Sequence, residues 1–241
     1  MSLRNVILIS TLAHTLAELS MEKQDTIRFP CVSIIVPNLN SMQLLKKCIS
    51  SLLQTDYPNF EIIVIDNGSK DEDIELFLRR YPEVRVVRLR QNMGVPFAYN
   101  LGLSLSSGEF VSFVNNDMEF DPAWLKHLVY TLQSDPSLAG CDSKYLNYFK
   151  RNIIDTSGGA GRFIDKYGNA IVRGGGEYDK GQFDKREEVF YGLSLFRKKL
   201  IQKVGRFDEK FLHIMRKQTF VGGCTGLVIK LCTFQKARYI T

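Results

Sequence analysis

Residues 61–69 read EIIVIDNGS. Ile62, Ile63, Val64 and Ile65 form an unbroken β-branched run, too short for a helix and apolar on both sides, which predicts a fully buried strand. Asp66-Asn-Gly-Ser69 then supplies the residues of a turn. The same grammar recurs outward in both directions. Upstream, Val32-Ser-Ile-Ile-Val36 is stopped by Pro37 and followed by Asn38 and Asn40. Downstream, Val84 to Leu89 is a third strand, and Phe110 to Val114 is a fourth that runs into Asn115-Asn116-Asp117. Helical spacing fills the gaps. Ser41 is placed to cap a helix whose apolar positions are Leu44, Leu45, Cys48, Ile49, Leu52 and Leu53; Ile74 to Arg80 is a second helix, and Pro96 to Ser106, closed by Gly108, a third. Alternating strands and helices, with strands apolar throughout, predict an α/β fold: a Rossmann-like, mostly parallel central sheet with helices on both faces.

In such sheets ligands bind at the carboxyl ends of the strands. Three polar clusters fall there: Asn38 and Asn40, Asp66 to Ser69, and Asn115 to Asp117. Any one of them alone reads equally well as an ordinary turn; three on one edge point to a site. No glycine-rich phosphate loop follows the first strand, and there is no GxxxxGK[ST]. A nucleotide held here therefore needs a divalent cation to neutralise its diphosphate, and Asp117 is placed to be a ligand for it.

The segments VSIIVPNLN, EIIVIDNGSKD, NMGVPFAYNLGLSLSSGEF and VSFVNNDMEFDPAWL, followed by SGG, DKYGNA, GEYDKGQFDKREEV and GRFDEKF, resemble in order and spacing the family 2 inverting glycosyltransferases of GT-A fold, in their rhamnosyltransferase-like branch. The resemblance covers Val32 to Phe211. It implies transfer of a sugar from a nucleotide-diphosphate-sugar donor to a glycan or lipid-linked acceptor, in cell-surface polysaccharide synthesis, with Mg or Mn as cofactor. Residue by residue, it implies that Pro37 and Asn40 border the nucleotide base and that Asp66 hydrogen-bonds base or ribose. Asn92, Gly94 and Asn100 match the segment beside the nucleotide, with Gly94 allowing close backbone approach. Asn115-Asn116-Asp117 matches the family's DxD triplet with Asn115 in place of the first Asp; Asn116 lies against the nucleotide and Asp117 binds the metal. The glycine-rich stretch from Ser157 to Glu188, with interleaved Phe163, Tyr167, Ile171, Val172, Tyr178 and Phe183, predicts short hairpins and an ordered loop near donor and acceptor.

The resemblance ends after GRFDEKF. The family continues with an acidic pair, one member of which is the general base that deprotonates the acceptor hydroxyl. Here LHIMRKQTFVGGCTGLVIKLCTFQKARYIT follows, without an acid; His213 is the one weak candidate. Reading from the third base of the His213 codon, the genetic code permits Y-Y-E-E-T-D-F-C-W-R, the missing family segment, provided Arg216 is AGG and Gln218 is CAG. The expectation is a frameshift; a divergent native tail is the alternative.

The chain has 241 residues and a net charge of +6, from 32 basic and 26 acidic residues. All acids lie at or before Glu209, and six basic residues follow from Lys210 onward, so the body is neutral and the excess belongs to the tail. A nucleic-acid partner is not implied. Five scattered cysteines without a CxxC pair argue against a zinc site or a disulfide framework and fit a cytoplasmic protein. Residues 1–30 read as an extension carrying a loose amphipathic helix, residues 31–211 as the nucleotide-sugar domain, and residues 212–241 as an atypical basic tail; Met21 is an alternative start. Peripheral association with the inner face of the membrane is left open. The second reading of function is a non-catalytic nucleotide-sugar binder. A nucleotidyltransferase of related fold would need a basic glycine-rich loop where PNLN stands.

Overall fold

The four apolar runs form parallel strands in a computed structural model that describes residues 28–70, 74–164, 167, 170–183, 187–189, 195–210 and 231–240. The N-terminal extension through residue 27, and His213, Arg216 and Gln218, lie outside the described residues. In chain order the first half runs β1 (Val32–Asn38), α1 (Met42–Leu52), β2 (Phe60–Asp66), α2 (Ile74–Arg80), β3 (Arg85–Arg88), α3 (Val95–Leu105) and β4 (Phe110–Phe113). β2 and β4 flank β1, with Val32 opposite both Phe60 and Phe110, and β3 lies outside β2.

The second half adds β5 (Glu119–Phe120), α4 (Trp124–Ser134), β6 (Gly140–Leu146), the hairpin β7 (Arg162–Ile164) and β8 (Ala170–Val172), then β9 (Glu187–Val189), β10 (Leu195–Arg197), α5 (Lys198–Val204) and β11 (Leu231–Ile240). The order across the nine-stranded sheet is β3-β2-β1-β4-β10-β6-β11-β5, with β9 also on β11. β10 runs antiparallel to β4 and β6, while β11 runs parallel to β6 and antiparallel to β5 and β9. Six strands thus share one direction: β1 to β4, β6 and β11. Part of the basic tail enters the sheet as β11.

Period-two alternation splits the strand side chains between two cores. Val32, Ile34, Val36, Ile62 and Val64 face α1, α2 and α4, while Ile35, Ile63 and Ile65 face α3 and α5. All eight are at most 3% exposed, and each contributes roughly 1.5–3 kcal/mol by leaving water. α1 presents Met42, Leu45, Cys48, Ile49 and Leu52 to the first core. Leu44, assigned to that face from sequence, is 45% exposed. Ser41 stands at the N-cap of α1, but its hydroxyl donates to the Leu39 carbonyl at 3.1 Å instead of capping the helix. α3 lies close on β1 because Gly102 has no side chain; a Cβ there would stand 2.3 Å from Ile35 Cγ2. Among the described residues no helix is long and apolar enough to cross a membrane.

Candidate active site

Parallel pairing brings the ends of β1, β2 and β4 to one edge, and their polar turns meet there. Asn38, the last residue of β1, is 2% exposed. Its Oδ1 accepts the Asn116 amide at 2.7 Å, and its Nδ2 makes long contacts of 3.4 Å to both Asp66 Oδ1 and Ser69 Oγ. Ser69 donates to Asp66 Oδ1 and accepts the backbone N–H of Asn40 at 2.8 Å. One buried carboxylate therefore organises the loop after β1 and the turn after β2. The other Asp66 oxygen, Oδ2, faces the Arg88 guanidinium at 3.3 Å without a hydrogen bond. The Arg88 Nη2 donates to Ser69 O at 3.0 Å.

A second amide cluster anchors the start of α3. Asn67 Nδ2 donates to Asn92 Oδ1 at 3.0 Å, and Asn67 Oδ1 accepts the Met93 N–H at 2.8 Å. Asn92 Oδ1 also accepts the Gly94 N–H at 2.9 Å. Gly94 sits at the N-cap of α3 with φ of 86°, a conformation that favours glycine. Gly68 has φ of 82°, and a Cβ on it would meet the Gln91 backbone at 2.5 Å. That close approach lets the turn after β2 lie on the loop before α3.

Between these clusters lies a cavity of about 220 Å³ lined by Pro37, Asn38, Leu39, Ser41, Asn67, Asn92, Val95, Asn115, Asn116 and Asp117. Pro37, Asn92, Asn116 and Asp117 fall where the sequence reading puts site residues. Asn40, Asp66, Gly94 and Asn100 do not line the cavity. Asn40, with φ of 51°, splices the β1 loop to the β2 turn by accepting the Lys70 N–H at 2.9 Å. Asp66 lies beneath the floor, and Gly94 shapes the start of α3. Asn100 is engaged elsewhere: Nδ2 donates to Phe207 O at 2.9 Å and Glu209 Oε1 at 2.7 Å, and Oδ1 accepts the Phe207 N–H at 3.0 Å. Asn38 and Asn67 are the polar lining residues to which the sequence reading gave no individual role, and Leu39 and Val95 the apolar ones. The two asparagines were legible as members of the turn clusters, but not as lining rather than bracing.

The lining holds one charge, Asp117, and no Lys or Arg. A diphosphate entering here would meet neutral amides, the positive end of the α3 dipole at Val95 and one carboxylate. A divalent cation between that carboxylate and the phosphates fits this donor set, since Mg²⁺-type ions are commonly held by one or two carboxylates plus substrate phosphates. Among the described residues no cluster of three His, Cys, Asp or Glu forms a self-sufficient cage. Beneath the triplet, the Cys48 thiol donates to Asn115 O at 3.5 Å. Burial, reinforced by the Asp117 charge, holds that thiol far above its ordinary pKa despite an opposing backbone hydrogen bond at Met118, so it is inert. A larger cavity, about 850 Å³, lies against the outer face of α1 and contains none of these site residues.

Residues 33–205 match the model of "Glycosyl transferase family 2". The chain belongs to glycosyl transferase family 2. Among curated relatives of this family, the O-antigen biosynthesis protein RfbC of Myxococcus xanthus is 31% identical over 194 residues, covering 76% of this chain and 15% of RfbC. The uncharacterized glycosyltransferase RT0329 of Rickettsia typhi is 28% identical over 198 residues, covering 79% of this chain and 58% of that protein. The chain thus spans well under two thirds of these relatives. Solved structures give the fold. A crystal structure of GalNAc-T7 with UDP, GalNAc and Mn²⁺ superposes with a TM-score of 0.67 at 17% identity, covering 88% of this chain and 44% of that one. Staphylococcus aureus TarS 1-349 gives a TM-score of 0.59 at 19% identity, covering 85% and 60%. The family 2 chain has the GT-A fold.

Proposed function

We propose that this chain is the nucleotide-sugar half of an inverting glycosyltransferase that uses a nucleotide-diphosphate-sugar donor and a glycan or lipid-linked acceptor in cell-surface polysaccharide synthesis. The observation that carries the reading is the hydrogen-bonded convergence of Asn38, Asp66 and Asn116 under a cavity whose one charge is Asp117. The polysaccharide context rests on the similarity to RfbC, an O-antigen biosynthesis protein. The use of a metal rests on the lining chemistry and on the Mn²⁺ in the structure of GalNAc-T7.

The chain's own residues divide the work. The amides of Asn67, Asn92 and Asn116 hold the nucleoside side of the cavity at fixed spacing. Asp66 braces that floor through Ser69 and Asn38, with Oδ2 against Arg88, and acts on the nucleotide through the residues it holds. Asp117, with the amides of Asn115 and Asn116 beside it, would hold Mg²⁺ or Mn²⁺, which supplies charge neutralisation for the departing diphosphate. Deprotonation of an acceptor has no assigned residue, because the acidic pair expected after GRFDEKF is replaced by a sequence without an acid. The reading therefore predicts donor binding with negligible transfer, because loss of general-base catalysis alone costs roughly 10²–10⁴-fold. Its place of action is the cytoplasm, including the inner membrane face.

Calorimetry with UDP, GDP and dTDP, each with and without Mn²⁺, tests this. One diphosphate binds, and Mn²⁺ tightens it. Asp66→Asn weakens binding by about tenfold or more, and Asp117→Asn abolishes the Mn²⁺ effect. Failure of all three diphosphates to bind overturns the reading. A DNA read across Asp208 to Thr241 tests the frameshift: AGG at Arg216 and CAG at Gln218 fit it, and any other codon at either position sinks it. Native codons together with diphosphate binding would favour the non-catalytic binder.

A further inference from the structure

Asn100 and its neighbour Tyr99 tie the cavity to a segment that does not line it. Both lie in α3, and both are buried, at 0% and 3% exposure for Tyr99 and Asn100. The Tyr99 hydroxyl donates to Asn115 Oδ1 at a long 3.3 Å, touching the first residue of the Asn115-Asn116-Asp117 triplet. Its ring packs at 5.4 Å and a 41° tilt on Phe207 and edge-on at 5.0 Å against Phe113. Phe113 and Phe207 in turn meet at 5.0 Å and 85°. One residue further along α3, Asn100 grips the backbone of the same Phe207 through both its N–H and its C=O. Backbone partners on both sides fix the orientation of this amide, since only Nδ2 can donate and only Oδ1 can accept. The spare Nδ2 hydrogen goes to Glu209. The Phe207–Glu209 stretch has left helix α5 and belongs to no regular element; this side chain and the aromatic trio help to place it.

We propose that Tyr99 and Asn100 are positioning residues that couple occupancy of the nucleotide cavity to the placement of the Phe207–Glu209 segment. The proposal rests on the functional reading above. Asn115 is exposed at the cavity and its bond to Tyr99 is long, so a diphosphate and cation at the triplet change the Tyr99 contact. Tyr99 shares its ring contact, and its helical turn, with the grip on Phe207. Physical coupling of this kind needs only a packed element that both sites touch, and α3 is that element.

The test is residue-resolved hydrogen exchange at the Phe207 amide, using whichever of UDP, GDP or dTDP binds, with Mn²⁺. In the wild-type chain, saturation slows Phe207 exchange by about threefold or more. Asn100→Ala speeds that exchange about tenfold without ligand, removes the response to ligand, and leaves nucleotide affinity within about threefold. Tyr99→Phe, which deletes one hydroxyl and keeps the ring, leaves the unliganded exchange near wild type and also loses the response. A merely structural role would alter the unliganded rate and spare the response. Binding without any change at Phe207, or a full response in Tyr99→Phe or Asn100→Ala, overturns the coupling while leaving the nucleotide reading intact. If Asn100→Ala does not fold, Tyr99→Phe decides. Absence of diphosphate binding by the wild-type chain defeats both.

Discussion

Glu61 shows how one half-buried carboxylate can hold three segments. Its Oε1 accepts Ser33 Oγ at 2.5 Å, the Ser107 N–H at 2.7 Å and Ser107 Oγ at 2.8 Å, joining β2 to β1 and to the turn before β4. Burial by itself raises the carboxyl pKa, but these hydrogen bonds, with Arg85 nearby, outweigh it and set the pKa below its ordinary value of 4.5. A depressed folded-state pKa stabilises above the unfolded value and loses that contribution as pH falls through the folded one. Glu61→Gln should therefore cost about 1–2 kcal/mol at neutral pH, and the gap to wild type should shrink as pH drops below 4.5. Urea titrations at pH 7 and pH 3.5 check this; a gap that does not narrow refutes it. At this scale the sequence was partly legible. Asn92, Asn116 and Asp117 line the cavity because each sits in a turn directly beside it. The bonding of Asn100 was not legible, because its partner Phe207 is 107 positions away and no local pattern announces a pairing of that span. The bracing of Ser69 and Arg88 by Asp66 likewise belongs to tertiary structure.

Strand and helix identity was the most legible layer, because unbroken β-branched runs have few alternatives once both faces are to be covered. What the runs do not carry is how closely a helix lies on them. Gly102 reads in sequence as a weak point in α3, since Ala in its place should add up to about 1 kcal/mol of helix propensity. The structure reverses the sign. The added methyl would stand 2.3 Å from Ile35 Cγ2, and Ile35 is 0% exposed with no space to retreat. Overpacking of this kind costs about 1–3 kcal/mol, so Gly102→Ala is expected to destabilise on balance, and Gly102→Val to do so more strongly. Ile35→Leu combined with Gly102→Ala should recover part of the loss, because leucine is unbranched at Cβ and lacks the Cγ2 methyl that makes the clash. Thermal denaturation of the three variants measures it. A Gly102→Ala chain more stable than wild type would show that α3 lifts off β1 at little cost.

At the scale of the whole molecule, the half after β4 was not legible in order. β10 inserts antiparallel between β4 and β6, and β11 arrives from the tail; both pairings join segments tens of residues apart through strands whose sequence is not distinctive. The glycine-rich stretch is tied to this half by a buried ion pair. Lys144, on β6 and 0% exposed, donates to Asp179 Oδ1 at 2.6 Å, and Asp179 is 6% exposed. Around it, Ile154 donates to Glu177 O at 2.8 Å, Gly176 to Ile154 O at 2.9 Å and Asp179 to Asn152 O at 2.8 Å. The backbone bonds could form in many loops, but a lysine buried on a central strand demands a partner at one location, so the pair selects this loop position over its neighbours. Removing one partner leaves the other charge buried, at a cost of about 3–5 kcal/mol. Lys144→Met and Asp179→Leu should each lose stability of that order. The double variant should be more stable than either, because desolvating two charges is itself expensive and an apolar pair avoids it. Urea denaturation of the three proteins, read at neutral pH, gives the coupling directly. Additive losses would mean that the two charges are solvated independently and that the glycine-rich loop is held by its backbone bonds alone.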